Sequence, residues 1–186
     1  MALVTSLPRL PRWLILSGGF LASASTLLVG RMHAAEDAGQ IWGRWHYVKE
    51  RSDSIGTAAD TAAKDLPLII RPFARARLFA ALKPYQWVQL GRAGDQIQIT
   101  TSDWPAICTD CGGSRVPWKR PDGKRQQVST SLAGDVLRQT FVSSEGTYTN
   151  EYSLDAGGYL QVRVTVTSPM MKVPVSYVLR YRLQPG

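Results

Sequence analysis

The chain has 186 residues, 44% of them hydrophobic and 19% charged, with 22 lysines and arginines against 14 acids for a formal charge of +8. That mix excludes wholesale disorder, collagen-like repeats and a polytopic membrane protein, and it suits a single domain. Two cysteines are too few for a disulfide-stapled scaffold.

The first 35 residues differ in kind from the rest. Arg9 and Arg12 make a positive start, an uncharged run led by Leu14, Ile15, Leu16, Phe20, Leu21, Leu27, Leu28 and Val29 follows, and small residues stand at Ala34 and Ala35. This layout predicts a secretory signal peptide over 1–35 and a mature domain over 36–186, in the periplasm or secreted. The alternative is an uncleaved anchor, because Arg12 and Arg31 bracket 18 uncharged residues. Ser17, Gly18, Gly19, Ser23, Ser25 and Thr26 leave that run short of the ~20 predominantly apolar residues of a spanning helix. His33 stands where cleavage favours a small residue. Losing Arg9, Arg12 and Arg31 leaves the mature chain at +5. Its bases gather at Arg71, Arg75, Arg77 and Lys83 and again at Arg115, Lys119, Arg120, Lys124 and Arg125. Outside the cytoplasm such a charge suits anionic lipid or envelope polymer and no nucleic acid partner.

Along the mature chain, strands are predicted near 42–49, 85–91, 95–101, 114–119, 125–132, 135–143, 147–154, 159–167 and 174–183. Leu160, Val162, Val164 and Val166 alternate with Gln161, Arg163, Thr165 and Thr167. Tyr148, Asn150, Tyr152 and Leu154 alternate in the same way with Thr147, Thr149, Glu151 and Ser153. Period two with one apolar face marks half-buried antiparallel strands. Turn glycines Gly123, Gly134, Gly146 and Gly157 recur at the spacing of hairpins. One stretch breaks the rhythm. From about 52 to 83 the chain is Ala-rich at helical spacing; Ser52 or Asp53 caps a first helix, Pro67 interrupts, Pro72 opens a second and Pro84 ends it. The expected fold is all-β, an antiparallel meander barrel of eight or nine strands with a helical insert after the first strand. Closure removes the exposed edges such a meander otherwise carries. A sandwich is the alternative.

The first strand carries Gly43-Arg44-Trp45, which resembles the G-x-W that opens the first strand of lipocalins and related calycin barrels. The resemblance implies that Trp45 packs at the closed end of a barrel, with Arg182 from the last strand lying across it as a barrel-closing group. It also implies a small hydrophobic ligand held inside. Polar handles on apolar strand faces are candidates to meet that ligand: Tyr47, Tyr148, Asn150, Tyr152, Tyr177 and Tyr181. A buried Asn needs partners, from water, a tyrosine hydroxyl or a ligand. The alternative is a self-satisfied polar core with no room for a guest.

Cys108-Thr109-Asp110-Cys111 is the one motif with covalent potential. Three uses remain open: a local structural disulfide formed after export, a redox pair and half of a zinc site. Zinc needs about four ligands, and the mature chain offers His46 as its sole imidazole. A c-type haem is excluded, because Gly112 stands where His is required. No G-x-S-x-G and no phosphate-binding glycine loop occurs, so no catalytic residue, metal or cofactor is assigned. Three functions follow as expectations. The first is an exported non-enzymatic binding protein for a small hydrophobic molecule. The second is an envelope interaction protein touching anionic membrane or a partner through its basic insert. The third is a thiol-disulfide oxidoreductase.

Overall fold

The computed structural model describes residues 40–64 and 66–185, apart from the side chains of Arg77, Ala80 and Ala81. The leader assigned to 1–35 lies outside the described residues. Ten strands form one antiparallel sheet: β1 Gly43–Tyr47, β2 Trp87–Ala93, β3 Gln96–Thr101, β4 Ile107–Asp110, β5 Val116–Lys119, β6 Arg125–Ala133, β7 Val136–Ser143, β8 Gly146–Leu154, β9 Leu160–Thr167 and β10 Val175–Leu183. The strand added to the expected nine is β4, in a stretch read from the sequence as a loop. Four residues between Pro105 and Gly112-Gly113 are too few to show a period, but they pair with β3 at Ile99↔Ile107 and Gln96↔Asp110.

The spatial order is β4-β3-β2-β1-β10-β9-β8-β7-β6-β5, so the first strand lies beside the last. Trp45 pairs with Leu183 and Tyr47 with Tyr181. The remaining seam runs between β4 and the β5–β6 hairpin. Gly112 bridges Ser131, the Thr109 hydroxyl donates to that of Thr130 at 2.6 Å, and the Gly113 amide donates to the Thr130 carbonyl at 2.9 Å. These contacts join β4 to β6 at one end, while β5 continues along β6 towards the other. The result is a nearly closed ten-stranded barrel.

The insert builds the other end. A 3-10 turn (Lys49–Arg51) leads to α1 (Ile55–Ala63) and α2 (Arg71–Ala81), between β1 and β2. Ser54, not the expected Ser52 or Asp53, caps α1, its hydroxyl accepting from the Thr57 amide, and Pro72 sits in the first turn of α2, where a missing N–H costs nothing. The Asp53 carboxylate accepts from the Val178 amide at 2.8 Å, and the Ser52 hydroxyl from the Arg180 amide at 2.8 Å. These bonds pin the insert to β10. Ile55, Ala59, Ala62, Ala63 and Leu82 are buried beneath it. Among the described residues no helix is long and apolar enough to cross a membrane.

A turn glycine is required by contact as well as conformation. Gly146, at the β7–β8 hairpin, has φ +144°, and a Cβ there would run into the Thr167 carbonyl. In the next hairpin Gly158, not Gly157, takes the left-handed conformation. The Asp155 carboxylate accepts from the Gly157 and Tyr159 amides and sets that turn's phase.

Candidate functional site

The inward faces of the strands form one apolar lining interspersed with tyrosines and amides. Trp45, Val88, Leu90, Ile97, Ile99, Leu137, Leu160, Val162 and Leu179 are each 4% exposed or less. On β10 the inward face runs Tyr177, Leu179, Tyr181, opposite Val164, Val162 and Leu160 of β9. Tyr152, Tyr177 and Tyr181 are buried, and Tyr47, Tyr85 and Tyr148 are half-buried. The Tyr47 and Tyr181 rings lie 5.6 Å apart. The Tyr177 hydroxyl donates to the Leu82 carbonyl at 3.3 Å, tying β10 to the end of the helical cap, and it also bonds Tyr148. The Asn150 amide donates to the Tyr152 hydroxyl at 3.2 Å, which donates to Gln139 Oε1 at 3.3 Å.

Burial pushes the Tyr148, Tyr152, Tyr177 and Tyr181 hydroxyls above the ordinary phenol value, the neighbouring tyrosines adding to the effect. Tyr85 is pushed up to about 12 by burial and by the Asp103 carboxylate, against the pull of Arg120. At neutral pH these groups are neutral hydrogen-bonding hydroxyls, with no drive to act as bases or nucleophiles. Tyr148 combines a strongly desolvated hydroxyl with a side chain that keeps accessible surface.

An aromatic row runs along one wall from that point to the rim. Ring centroids are 5.9 Å apart for Tyr148 and Phe141, 5.8 Å for Phe141 and Trp118, and 5.1 Å for Trp118 and Trp104. All four side chains are half-buried. Arg120 stacks on Trp104 at 4.9 Å and pairs with Asp122 at 3.1 Å. A cleft of about 340 Å³ opens between the 3-10 turn, α1 and α2, lined by Tyr47, Ile55, Phe79, Lys83 and Pro84 among others. Tyr47 belongs both to this cleft and to the interior ring pair. A second, more open cleft of about 420 Å³ lies on the outer wall around Arg51, Asp155 and Arg180.

The six side chains proposed from sequence to meet a ligand all point inward. Reasoning from sequence missed Tyr85, Gln139 and the aromatic row. Gln139 follows Leu137 on the inward parity of β7, so alternation alone was enough to find it. Tyr85 precedes its strand, and only the cap turns it inward.

Two expectations need correction. Arg182 does not lie across Trp45. It pairs with His46 and is exposed, because residues one apart on a strand face opposite ways. Trp45 instead donates from Nε1 to the Ile41 carbonyl at 2.9 Å. The guanidinium–indole stack near this strand is Arg44 on Trp87, at 4.1 Å. Gly43 is present at φ +134°, where a Cβ would press on Leu183 at 3.0 Å.

The second correction concerns Cys108 and Cys111, which are free thiols, not a disulfide. Cys108 is exposed on the outer face of β4. The Cys111 amide donates to the Asp95 carbonyl at 2.9 Å, extending the ladder by a residue, and its side chain packs against the core. Three residues along an extended strand reverse the face, so the Cβ vectors diverge and no bond can form without moving the backbone. The same geometry withdraws support from a redox pair. Among the described residues no cluster of His, Cys, Asp and Glu has the makings of a metal site.

No family model matches the chain, and no curated protein matches it in sequence. Solved structures do. The "REP1-NXSQ fatty acid transporter" superposes with a TM-score of 0.51 at 15% identity, over 78% of this chain and 97% of that one. A point variant of the same transporter gives 0.50 at 14% identity, over 77% and 98%. A fatty acid binding protein of Schistosoma mansoni in complex with arachidonic acid gives 0.48 at 16%, over 77% and 96%. The likeness is one of fold. The chain has the fatty-acid-binding-protein type of antiparallel barrel, a relative of the calycin barrel expected from Gly43 and Trp45.

Proposed function

We propose that this protein is a non-enzymatic carrier that holds a small hydrophobic molecule inside its barrel. The observation that carries the reading is the half-buried aromatic row from Tyr148 through Phe141 to Trp118, set among apolar inward-facing side chains. It is a mostly apolar lining with few polar groups, as small-molecule sites have. The fold is shared with a protein whose name is fatty acid transporter. We further propose that residues 1–35 are removed on export, leaving the carrier in the periplasm or outside the cell. Kinship with lipocalins proper is proposed on Gly43 and Trp45 alone.

Native mass spectrometry of protein purified from its own host tests both proposals. The expected spectrum shows a chain lacking the leader, with an additional lipid-sized mass released on denaturation. Nile red is expected to bind saturably, and Tyr148→Trp, which fills space beside Phe141, to weaken it about tenfold, near 1.4 kcal/mol. A barrel that carries nothing from its host and gives no saturable Nile red signal is a solid core, and the carrier reading falls.

A second reading adds to the first: the helical cap as a contact for anionic membrane. Leu68 is 75% exposed, Ile69 85% and Phe73 77%, beside exposed Lys64 and Lys83. Apolar side chains this exposed, rimmed by bases, suit a charged lipid interface. Arg75 is paired with Asp60. Arg71 donates to the Lys64 and Leu66 carbonyls, which hold its position without neutralising its charge. The Arg77 side chain lies outside the described residues. Vesicles containing phosphatidylglycerol are expected to retain the protein, and Leu68→Asp with Ile69→Asp to release it. Equal retention by purely zwitterionic vesicles, or by the double variant, excludes this contact.

A further inference from the structure

Gln139 and Asn150 stand directly opposite each other on β7 and β8. They are 2% and 3% exposed, inside the barrel. The Tyr152 hydroxyl takes one hydrogen bond from Asn150 and gives one to Gln139. Gln139 Nε2 and Asn150 Oδ1 are left buried without a partner. Turning both amides over does not change this outcome. A phenol has one proton, so it donates to one amide and accepts from the other. Either way the pair retains one free donor and one free acceptor, side by side. Buried polar groups are ordinarily satisfied, so two complementary orphans in one place call for an outside group.

The charge around them is equally informative. Apart from the tyrosine hydroxyls, the buried polar side chains among the described residues are Thr109, Thr130, Gln139 and Asn150, and none of these carries a charge. Arg180 lies on the outer wall, bonded to Asp155 and the Arg51 carbonyl, and Arg182 is exposed. Arg120 lies over Trp104 at the far end of the aromatic row, its Nε also buried without a hydrogen-bond partner and its charge paired with Asp122. A carboxylate brought to the amide pair would satisfy Gln139, oppose the Asn150 oxygen and find no cation to offset its desolvation.

We infer that the cargo carries a neutral head group with both a hydrogen-bond donor and an acceptor, such as a primary amide or an alcohol, which docks between Gln139 and Asn150. This deepens the carrier reading and rests on it. An amide carbonyl accepts from Gln139 while its N–H donates to Asn150, and a hydroxyl does both through one oxygen. The two orphan atoms are sealed from solvent beneath the Phe141–Tyr148 pair, two residues nearer the rim. The head group therefore enters by displacing those rings, and its tail remains along the aromatic wall.

The test uses three probes with one tail, dodecanamide, dodecan-1-ol and dodecanoate, each competed against Nile red at about pH 8, where the acid is ionised. The amide and the alcohol are expected to bind at least about tenfold tighter than the carboxylate. Gln139→Met with Asn150→Leu removes both orphans at similar volume and is expected to bring the three probes within about twofold of one another. If the double variant does not fold, the ranking on the unaltered protein decides alone. Dodecanoate binding as tightly as the amide overturns the inference, and its loss in Arg120→Ala would move the head group to that guanidinium. A preference that survives the double variant overturns it too, as does a water bridging the two amides in a crystal of the dodecanol complex. Nile red binding with no competition from any probe sinks the head-group assignment and spares the carrier. Failure of Nile red itself sinks the carrier.

Discussion

Raising the pH above 10 is expected to unfold this protein in one cooperative step that also releases its tyrosine protons. Tyr85, Tyr148, Tyr152, Tyr177 and Tyr181 all have folded-state pKa values raised above the ordinary phenol value of 10.0, chiefly by burial. Below pH 10 both the folded and unfolded chains hold these protons, so stability is unaffected. Above it the unfolded chain releases protons that the folded chain keeps, and stability falls with rising pH until the folded values are passed. One unit above the free value each group costs about 1.4 kcal/mol, so five together cost on the order of 7 kcal/mol near pH 11. A domain is stable by about 5–15 kcal/mol in total. The midpoint is therefore expected between about pH 11 and 12. Sheet circular dichroism and tyrosinate absorbance, followed on one sample, check this. Tyrosinate from these residues appearing near pH 10 with the sheet intact would show that water already reaches the interior, and the enclosed site would be lost with it.

Trp45→Ala is expected to cost about 3–5 kcal/mol, the range for deleting a buried aromatic side chain. Trp45 is 2% exposed, on the innermost face of the strand that closes the barrel against β10, and its indole N–H holds the Ile41 carbonyl. Removing the ring opens a cavity beside Val88 and Leu183, its neighbours across β2 and β10. For a domain of this size the melting temperature should drop on the order of 10 °C. Arg182→Ala is the control. An exposed residue on the opposite face is expected to change stability by no more than about 0.5 kcal/mol. A loss in Arg182→Ala comparable with that in Trp45→Ala would restore the stacked arrangement the family motif implies.

These two residues show where motif and periodicity part. The alternation of β10 already assigned Arg182 to the polar face and Tyr181 to the apolar one. The analogy with lipocalins overrode that parity, and the structure follows the parity. The cysteines repeat the lesson. C-x-x-C reads as a pair on a loop or helix, but on an extended segment its two thiols face opposite ways, and the four-residue β4 is too short to announce itself as extended. Only its pairing with β3 settles the matter.

The amino-acid sequence alone determined the strand rhythm, the hairpin turns, the two helices between first and second strands and the inward set of tyrosines with Asn150. Each of these is local, written in a period of two, a turn glycine or a proline. Tertiary structure decided the closure of β1 on β10, the inward turn of Tyr85, the row from Trp104 to Tyr148, and the meeting of Gln139 with Asn150 across β7 and β8. Those depend on register between segments far apart in the chain, where a shift of one residue sends every side chain to the other face.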